Sequence, residues 1–287
     1  MLALVTGHDG FVGRYLMREL REKGWEAVGL EEAGASNPCS VDVRDGLAVA
    51  RAMAAVRPDV VFHLAAISGP MLLTESPATV TAVNCLGTIH LLEAAAWCGA
   101  RRLVFAATTS GYDAGTARDP RPKDVYGATK RFGEFVAAQY RDAGKLDTVA
   151  AQIGMVYGPG RMTRCYIREM VRGALSGRPV TYDPAEVDFI IHVRDCARYL
   201  AALGALDRAR SSYQVVTARV TMHDLATLIG REVEEARFEP RQGMAQAWPV
   251  EFSPDDLVAD TGLAPLVPVE AGVLELVQAE RAAATAP

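Results

Sequence analysis

The segment Leu2-Ala3-Leu4-Val5-Thr6-Gly7-His8-Asp9-Gly10-Phe11-Val12-Gly13 stands at the start of the chain, and its reading decides the fold. The apolar run from Leu2 to Thr6 has the pattern of a buried strand, and Val12–Lys23 behind it has helical spacing. Three glycines lie between them. Gly7 allows a tight turn, Gly10 lets backbone approach a pyrophosphate, and Gly13 lets the helix pack closely on the strand. The N–H groups and positive end of that helix would then hold a diphosphate against Gly7, Asp9, Gly10, Phe11 and Val12. Without the flanking strand and helix the same glycines would be an ordinary turn.

Outward from this unit the pattern repeats. Ala27–Leu30, Val60–Leu64, Leu103–Ala107 and Thr148–Ile153 are apolar runs without polar alternation, as expected of parallel strands covered on both faces. Val12–Lys23, Gly46–Val56, Pro77–Cys98 and Tyr126–Ala143 read as the intervening helices. The order predicts an α/β fold, a Rossmann doubly wound parallel sheet with right-handed crossovers and a small C-terminal substrate-binding lobe.

The rhythm changes after Tyr157-Gly158-Pro159-Gly160. An Arg-rich helical stretch runs to Leu175, then come strand-like Phe189–Val193, a helix near Asp195 and strand-like Tyr213–Val216. Beyond Thr221, prolines at 240, 249, 254, 265 and 268 predict short, broken pieces, and Ala282–Pro287 reads as a frayed tail. The expected division is a cofactor domain over 1–158 and 188–217, and a substrate lobe over 159–187 and 218–287.

The formal net charge of -5 across 287 residues argues against a nucleic-acid partner, which usually demands a basic footprint. The five cysteines form no C-x-x-C pair and no zinc spacing, so no metal is expected and free thiols in a reducing cytoplasm are. There is no leader pattern and no apolar span of membrane length. The expected partner is a small-molecule substrate.

Glu31 ends the second predicted strand, where an acid accepts hydrogen bonds from both ribose hydroxyls of a dinucleotide. No Lys or Arg lies between Gly24 and Val43 to neutralise a 2′-phosphate, which favours NAD over NADP. Tyr126-Gly127-Ala128-Thr129-Lys130 opens a helix and puts Tyr126 and Lys130 on one face. An ammonium and a positive nicotinamide ring would lower the phenol pKa from about 10, so that Tyr126 takes a proton from a substrate hydroxyl.

Together Gly7/Gly10/Gly13, Asp42-Val43, His63-Leu64-Ala65-Ala66, Asn84-Cys85-Leu86-Gly87-Thr88, Tyr126 to Lys130, Val156-Tyr157-Gly158-Pro159-Gly160 and His192-Val193-Arg194-Asp195 resemble the motifs of the extended short-chain dehydrogenase/reductases, also called the NAD-dependent epimerase/dehydratase family. The resemblance implies bound NAD, with Asp42 and Val43 along the adenine, Leu64, Ala65 and Ala66 along the cofactor backbone, and Lys130 bridging the nicotinamide ribose. Asn84 is implied either to touch the cofactor or to brace a helix. Thr108 falls at the catalytic Ser/Thr position, with Thr109 and Ser110 beside it, toward the substrate, and the register open by one residue. The resemblance also implies a homodimer through Pro77–Cys98 and Tyr126–Ala143, where Phe132, Phe135 and Val136 supply apolar surface.

Departures from the family narrow the chemistry. Thr109-Ser110 stand where the dehydratases carry Asp-Glu, so water elimination has no acid/base pair; the Thr-Thr-Ser run is closer to epimerases of uronic-acid sugar nucleotides. Asp188 stands where nucleotide-sugar enzymes have an Arg that grips phosphate, and Gln152 stands where many have Arg. Arg161, Arg164, Arg168 and Arg172 recur along the lid segment. Arg161, directly after Gly-Pro-Gly, is the expected anion clamp, while Arg168 and Arg172 read as a solvated face. The expected function is NAD-dependent epimerisation of a sugar-like secondary alcohol, a sugar nucleotide or uronate, through a transient ketone. The alternatives are a dehydrogenase releasing NADH and, from another class, a non-catalytic NAD-binding regulator.

Overall fold

The computed structural model describes residues 1–30, 41–68, 76–243 and 248–285. In chain order its strands are β1 Leu2–Thr6, β2 Glu26–Leu30, β3 Val60–His63, β4 Arg102–Thr108, β5 Ala114–Thr116, β6 Asp119–Arg121, β7 Asp147–Ile153, β8 Met155–Tyr157, β9 Pro179–Tyr182, β10 Val187–His192, β11 Ser212–Val215, β12 Ala218–Thr221 and β13 Arg237–Pro240. The helices are α1 Phe11–Glu22, α2 Gly46–Val56, α3 Pro77–Thr81, α4 Gly87–Cys98, α5 Val125–Asp142, α6 Tyr166–Leu175, α7 Val193–Ala205, α8 Met222–Glu232, α9 Asp255–Thr261 and α10 Val269–Thr285.

Six parallel strands form the main sheet in the order β11-β7-β4-β3-β1-β2. Successive side chains of a strand point to opposite faces. Ala3, Val5, Phe62 and Val104 therefore pack with Leu16 and Leu20 of α1 and Ala197 and Leu200 of α7. Leu4, Val61, Leu103 and Phe105 pack on the other face with Val49, Met53, Leu91, Leu92 and Ala137 of α2, α4 and α5. Both faces are covered, which is why these strands carry no polar alternation.

Local chemistry sets the helix starts. Asp45 accepts from Ala48 N–H at 3.0 Å ahead of α2, and Asp124 accepts from Gly127 N–H at 2.7 Å ahead of α5. The predicted helix Pro77–Cys98 is interrupted by a π-helical turn over Ala82–Leu86. Its Asn84 hydrogen-bonds Ile67 and Thr129, bonds that reach outside the helix and that periodicity does not report.

The strand predicted at Phe189–Val193 does not join the main sheet. It is β10, which pairs parallel with β8 and antiparallel with β12. A separate apolar cluster gathers Ile167 and Val171 of α6, Leu225 and Ile229 of α8, and Val273, Leu276 and Val277 of α10. The broken chain expected beyond Thr221 instead carries, among the described residues, the helices α8, α9 and α10 and the short strand β13. Thr221 and Asp224 close a reciprocal cap on α8, and α10 runs to Thr285, into the tail predicted to fray. The prolines fall at edges where they do no harm: Pro240 ends β13, and Pro254 and Pro268 precede α9 and α10. Arg168 is largely covered rather than solvated, whereas Arg172 stays exposed as expected. Both pair with Glu280, at 2.6 and 3.1 Å, and tie α6 to α10.

Asp195, from the His192–Asp195 motif, has a structural post. Fully buried at the start of α7, it accepts from the N–H groups of Leu266 and Val267 at 2.8 and 2.9 Å and from Arg198 at 2.8 Å, and so fastens the C-terminal loop.

Candidate active site

In the main sheet β1 lies between β2 and β3, so the loops leaving β1 and β3 diverge and open a crevice at their carboxyl ends. A cavity of about 670 Å³ lies here, between the Gly-rich turn after β1, the ends of β4 and β7, the start of α5, and the lid segment from Arg161 to Tyr166.

The turn has the form a diphosphate cradle needs. Gly7 has φ +69°, and a Cβ there would lie 2.8 Å from the Ala65 nitrogen. A Cβ on Gly13 would fall 2.1 Å from the Gly7 carbonyl oxygen. Gly10 precedes α1 and no side chain caps that helix, so its first N–H groups face the cavity end without a side-chain acceptor. These features fit the pyrophosphate of a dinucleotide.

Thr108 ends β4, 8% exposed, and its Oγ1 accepts from Ser110 N–H at 3.2 Å. Of the Thr108–Ser110 run it is Thr108 whose hydroxyl lies near enough to the Tyr126 phenol to draw its pKa down; Thr109 and Ser110 also line the cavity. Lys130, one helical turn after Tyr126 and 4% exposed, donates from Nζ to the Ala106 carbonyl at 2.8 Å. Its Nζ stands 6.0 Å from the Tyr126 ring centroid.

Electrostatics differ from the expectation. Burial pushes the Tyr126 phenol up to about 12, and the groups drawing it down are the Thr108 hydroxyl and the Arg161 guanidinium rather than Lys130. Burial also brings Lys130 down to about 8. Desolvation penalises both charged forms, and the ammonium is turned toward a carbonyl. Tyr126 is thus a neutral phenol in this state, and a positive ring stacked nearby is what would ease its ionisation.

The other expected site residues divide. Gly7, Gly10, Phe11, Val12, Leu64 and Ala66 line the cavity. Ala65 packs behind the turn, with its N–H bonded to Thr6 Oγ1 at 3.1 Å. Asp9 is exposed beside His8, and Glu31 lies outside the described residues. Asp42 and Val43 stand apart from the cavity. Asp42 is held by Arg44, one residue beyond the stretch free of basic residues, and that partner depresses its pKa. Asn84 is a brace: 2% exposed, it bonds Ile67 N–H, Ile67 carbonyl and Thr129 at 2.8, 3.0 and 3.0 Å, leaving its carboxamide no open face.

Arg161 lines the cavity but is largely engaged. It donates to the Val156 carbonyl, to Thr163 Oγ1 at 3.2 Å, to the Arg164 carbonyl at 3.3 Å and to Met155 Sδ at 3.4 Å. His63 sits behind the site between Thr6 and Thr88 hydroxyls at 2.8 and 3.0 Å, and burial lowers it to about 3. Thr88 donates to the Asn84 carbonyl at 2.6 Å, so it accepts from His63 Nε2–H, leaving Nδ1 to accept from Thr6.

Sequence reading missed Tyr166, Glu186 and Trp248, which close the far side of the cavity. They come from a helix start and two loops, where no periodicity marks a site.

Residues 3–216 match the family model described as the NAD dependent epimerase/dehydratase family. The chain is 25% identical over 331 aligned residues to the "Probable UDP-glucuronate 4-epimerase" of Rhizobium meliloti (strain 1021), covering 97% of this chain and 96% of that protein. Among solved structures, the UDP-glucose 4-epimerase of Thermus thermophilus in complex with NAD superimposes with TM-score 0.83 at 27% identity, over 99% of this chain and all of that one. MoeE5 in complex with UDP-glucuronic acid and NAD superimposes with TM-score 0.83 at 25% identity, over the same shares of the two chains.

Proposed function

Since the chain belongs to the NAD-dependent epimerase/dehydratase family, we propose that it inverts a secondary alcohol carbon of a sugar-like substrate, a sugar nucleotide or uronate, through a transient ketone. It is an NAD-dependent enzyme of the extended short-chain dehydrogenase/reductase type. Bound NAD would supply the hydride chemistry at the alcohol carbon, as acceptor and then as donor. The protein's part is to hold the dinucleotide on the Gly7–Gly13 turn and to manage the proton. Thr108 holds the reacting oxygen, Tyr126 accepts its proton and gives it back, and Lys130 keeps positive charge near the phenol and the ribose. The observation that carries this reading is the meeting of Thr108, Tyr126 and Lys130 in the cavity that begins at the Gly-rich turn.

Incubation with NAD and UDP-glucuronate in deuterated water tests it. The epimer should form without net NADH absorbance and with no solvent deuterium at the inverted carbon. Steady NADH accumulation would replace the epimerase reading with a dehydrogenase.

The same reading includes a homodimer through α4 and α5, supported by the exposed Trp97 (74%) and Phe135 (64%), and a substrate lobe over 159–187 and 218–287, supported by the separate apolar cluster of α6, α8 and α10. Cys85, Cys98, Cys165 and Cys196 are free thiols, which suits a cytoplasmic setting. No helix among the described residues is long and apolar enough to cross a membrane.

A further inference from the structure

Helix α1 meets two parts of the site within a few residues. Its first N–H groups, after Gly10, face the end of the cavity where the diphosphate cradle lies. The side chains of Phe11, Arg14 and Tyr15, spaced i, i+3 and i+4, fall on one face of the helix. That face meets Pro159, Gly160 and Arg161, the turn through which the chain leaves β8 and enters the lid segment.

The contacts are matched residue by residue. Tyr15 donates its hydroxyl to the Pro159 carbonyl at 3.1 Å. The Arg161 guanidinium stands over the Phe11 ring, 5.9 Å from its centroid. Arg14 spans two segments: one terminal N–H group donates to the Asp9 carbonyl of the Gly-rich turn at 3.0 Å, the other to the Gly160 carbonyl at 3.1 Å. A guanidinium is a planar fork, so it fixes the separation of its two acceptors in a way a flexible ammonium does not. The lid turn is also constrained, because Gly158 (φ +134°) and Gly160 (φ +83°) flank a proline whose own φ is set by its ring. Beyond it Arg161, Thr163, Arg164 and Cys165 line the cavity, with no helix or strand before α6. Arg14 itself is exposed and does not line the cavity, so its effect on the site runs through the two carbonyls it holds.

We propose that Arg14 is a positioning residue that couples the cofactor to the lid. NAD on the Gly-rich turn fixes the Asp9 carbonyl, Arg14 carries that constraint to Gly160, and the lid is held where Arg161 faces the cavity. This rests on NAD as the cofactor and is independent of which sugar-like substrate the cavity takes.

The test is hydrogen–deuterium exchange with and without saturating NAD, read at the amides of residues 160–165, beside a calorimetric NAD titration. In the wild type NAD should slow exchange of the lid amides about fivefold or more. In Arg14→Met the lid should exchange at one rate with or without NAD, while NAD still protects the amides of residues 7–12. Arg14→Lys, which keeps the charge without the fork, should behave like Arg14→Met. Coupling is reciprocal, so the factor lost at the lid should reappear as the factor by which Arg14→Met binds NAD more weakly. Lid amides that ignore NAD in the wild type, or protection that survives in either variant, overturn the proposal. A wild type that binds no NAD in the titration would refute the cofactor reading itself, and the proposal with it.

Discussion

The ammonium of Lys130 donates to the carbonyl oxygen of Ala106 at 2.8 Å, which ties the charge on the Tyr126 face of α5 to the end of β4. The bond holds the lysine in a place where burial disfavours its charge.

That placement predicts a pH effect on stability. Lys130 keeps its proton to near 10.5 when exposed but only to about 8 in the fold. Between those values the unfolded chain binds more protons, so stability rises with pH across the window and is level on either side of it. Relative to Lys130→Met, cofactor-free wild type should gain about 3 kcal/mol between pH 8 and pH 10.5, at roughly 1.4 kcal/mol per pKa unit. Urea unfolding of both proteins at the two pH values measures it, and parallel changes would remove the lysine from the argument.

Tyr126→Phe removes the oxygen that moves the proton and little else, because Thr108 keeps its bond from Ser110 N–H. Turnover should fall by about 10²–10⁴ while NAD affinity stays within a few-fold. Activity close to wild type would place the proton elsewhere.

The glycines of the first turn should differ in kind. In Gly13→Ala the new Cβ lies 2.1 Å from the Gly7 oxygen and 2.7 Å from His8 Cα, so backbone must move. A loss of about 1–3 kcal/mol in stability is expected together with weaker NAD binding. In Gly10→Ala the nearest atom is at 3.1 Å, so NAD affinity should suffer more than stability. Melting temperature and NAD titration of the two variants separate these effects; equal stability losses would contradict the packing argument.

Arg161 both clamps its loop and faces the cavity. Arg161→Ala should raise KM at least about tenfold with a smaller change in kcat, from loss of a charge-assisted bond of roughly 1.5–3 kcal/mol. Because its present bonds run to Val156, Thr163 and Arg164, the melting temperature should fall as well. A lower melting point with unchanged kinetics would make it a loop brace only.

Trp97 and Phe135 expose large apolar surfaces on adjacent helices. A double change, Trp97→Glu with Phe135→Glu, should convert a dimer to a monomer in light scattering at micromolar concentration. A monomeric wild type would refute the dimer outright.

Much of the fold was legible because it depends on neighbours in sequence. Apolar runs at β1, β3, β4 and β7, the glycine spacing at residues 7, 10 and 13, and the Tyr126/Lys130 interval each report a local backbone geometry. The pattern at Gly46–Val56 even located α2 to the residue. The prolines misled beyond Thr221, since a proline outside a helix looks the same in sequence as one that breaks it, while the local signal that starts α8 is the cap formed by Thr221 and Asp224.

What the sequence by itself determined was the doubly wound sheet, the Gly-rich turn after β1 and the placing of Tyr126 and Lys130 one turn apart on α5, all written over spans shorter than one strand–helix unit. The tertiary structure decided the rest. Lys130 turns to Ala106, Asn84 braces a loop, and Arg168 and Arg172 fasten α10, because each side chain meets a partner far away in sequence. Tyr166, Asp188 and Trp248 share one wall only after α6, β10 and a late loop converge on the cavity. Burial then sets their chemistry: the same carboxyl that is an ordinary acid in water is pushed up to about 6 at Asp188, because a low-dielectric wall disfavours its charge.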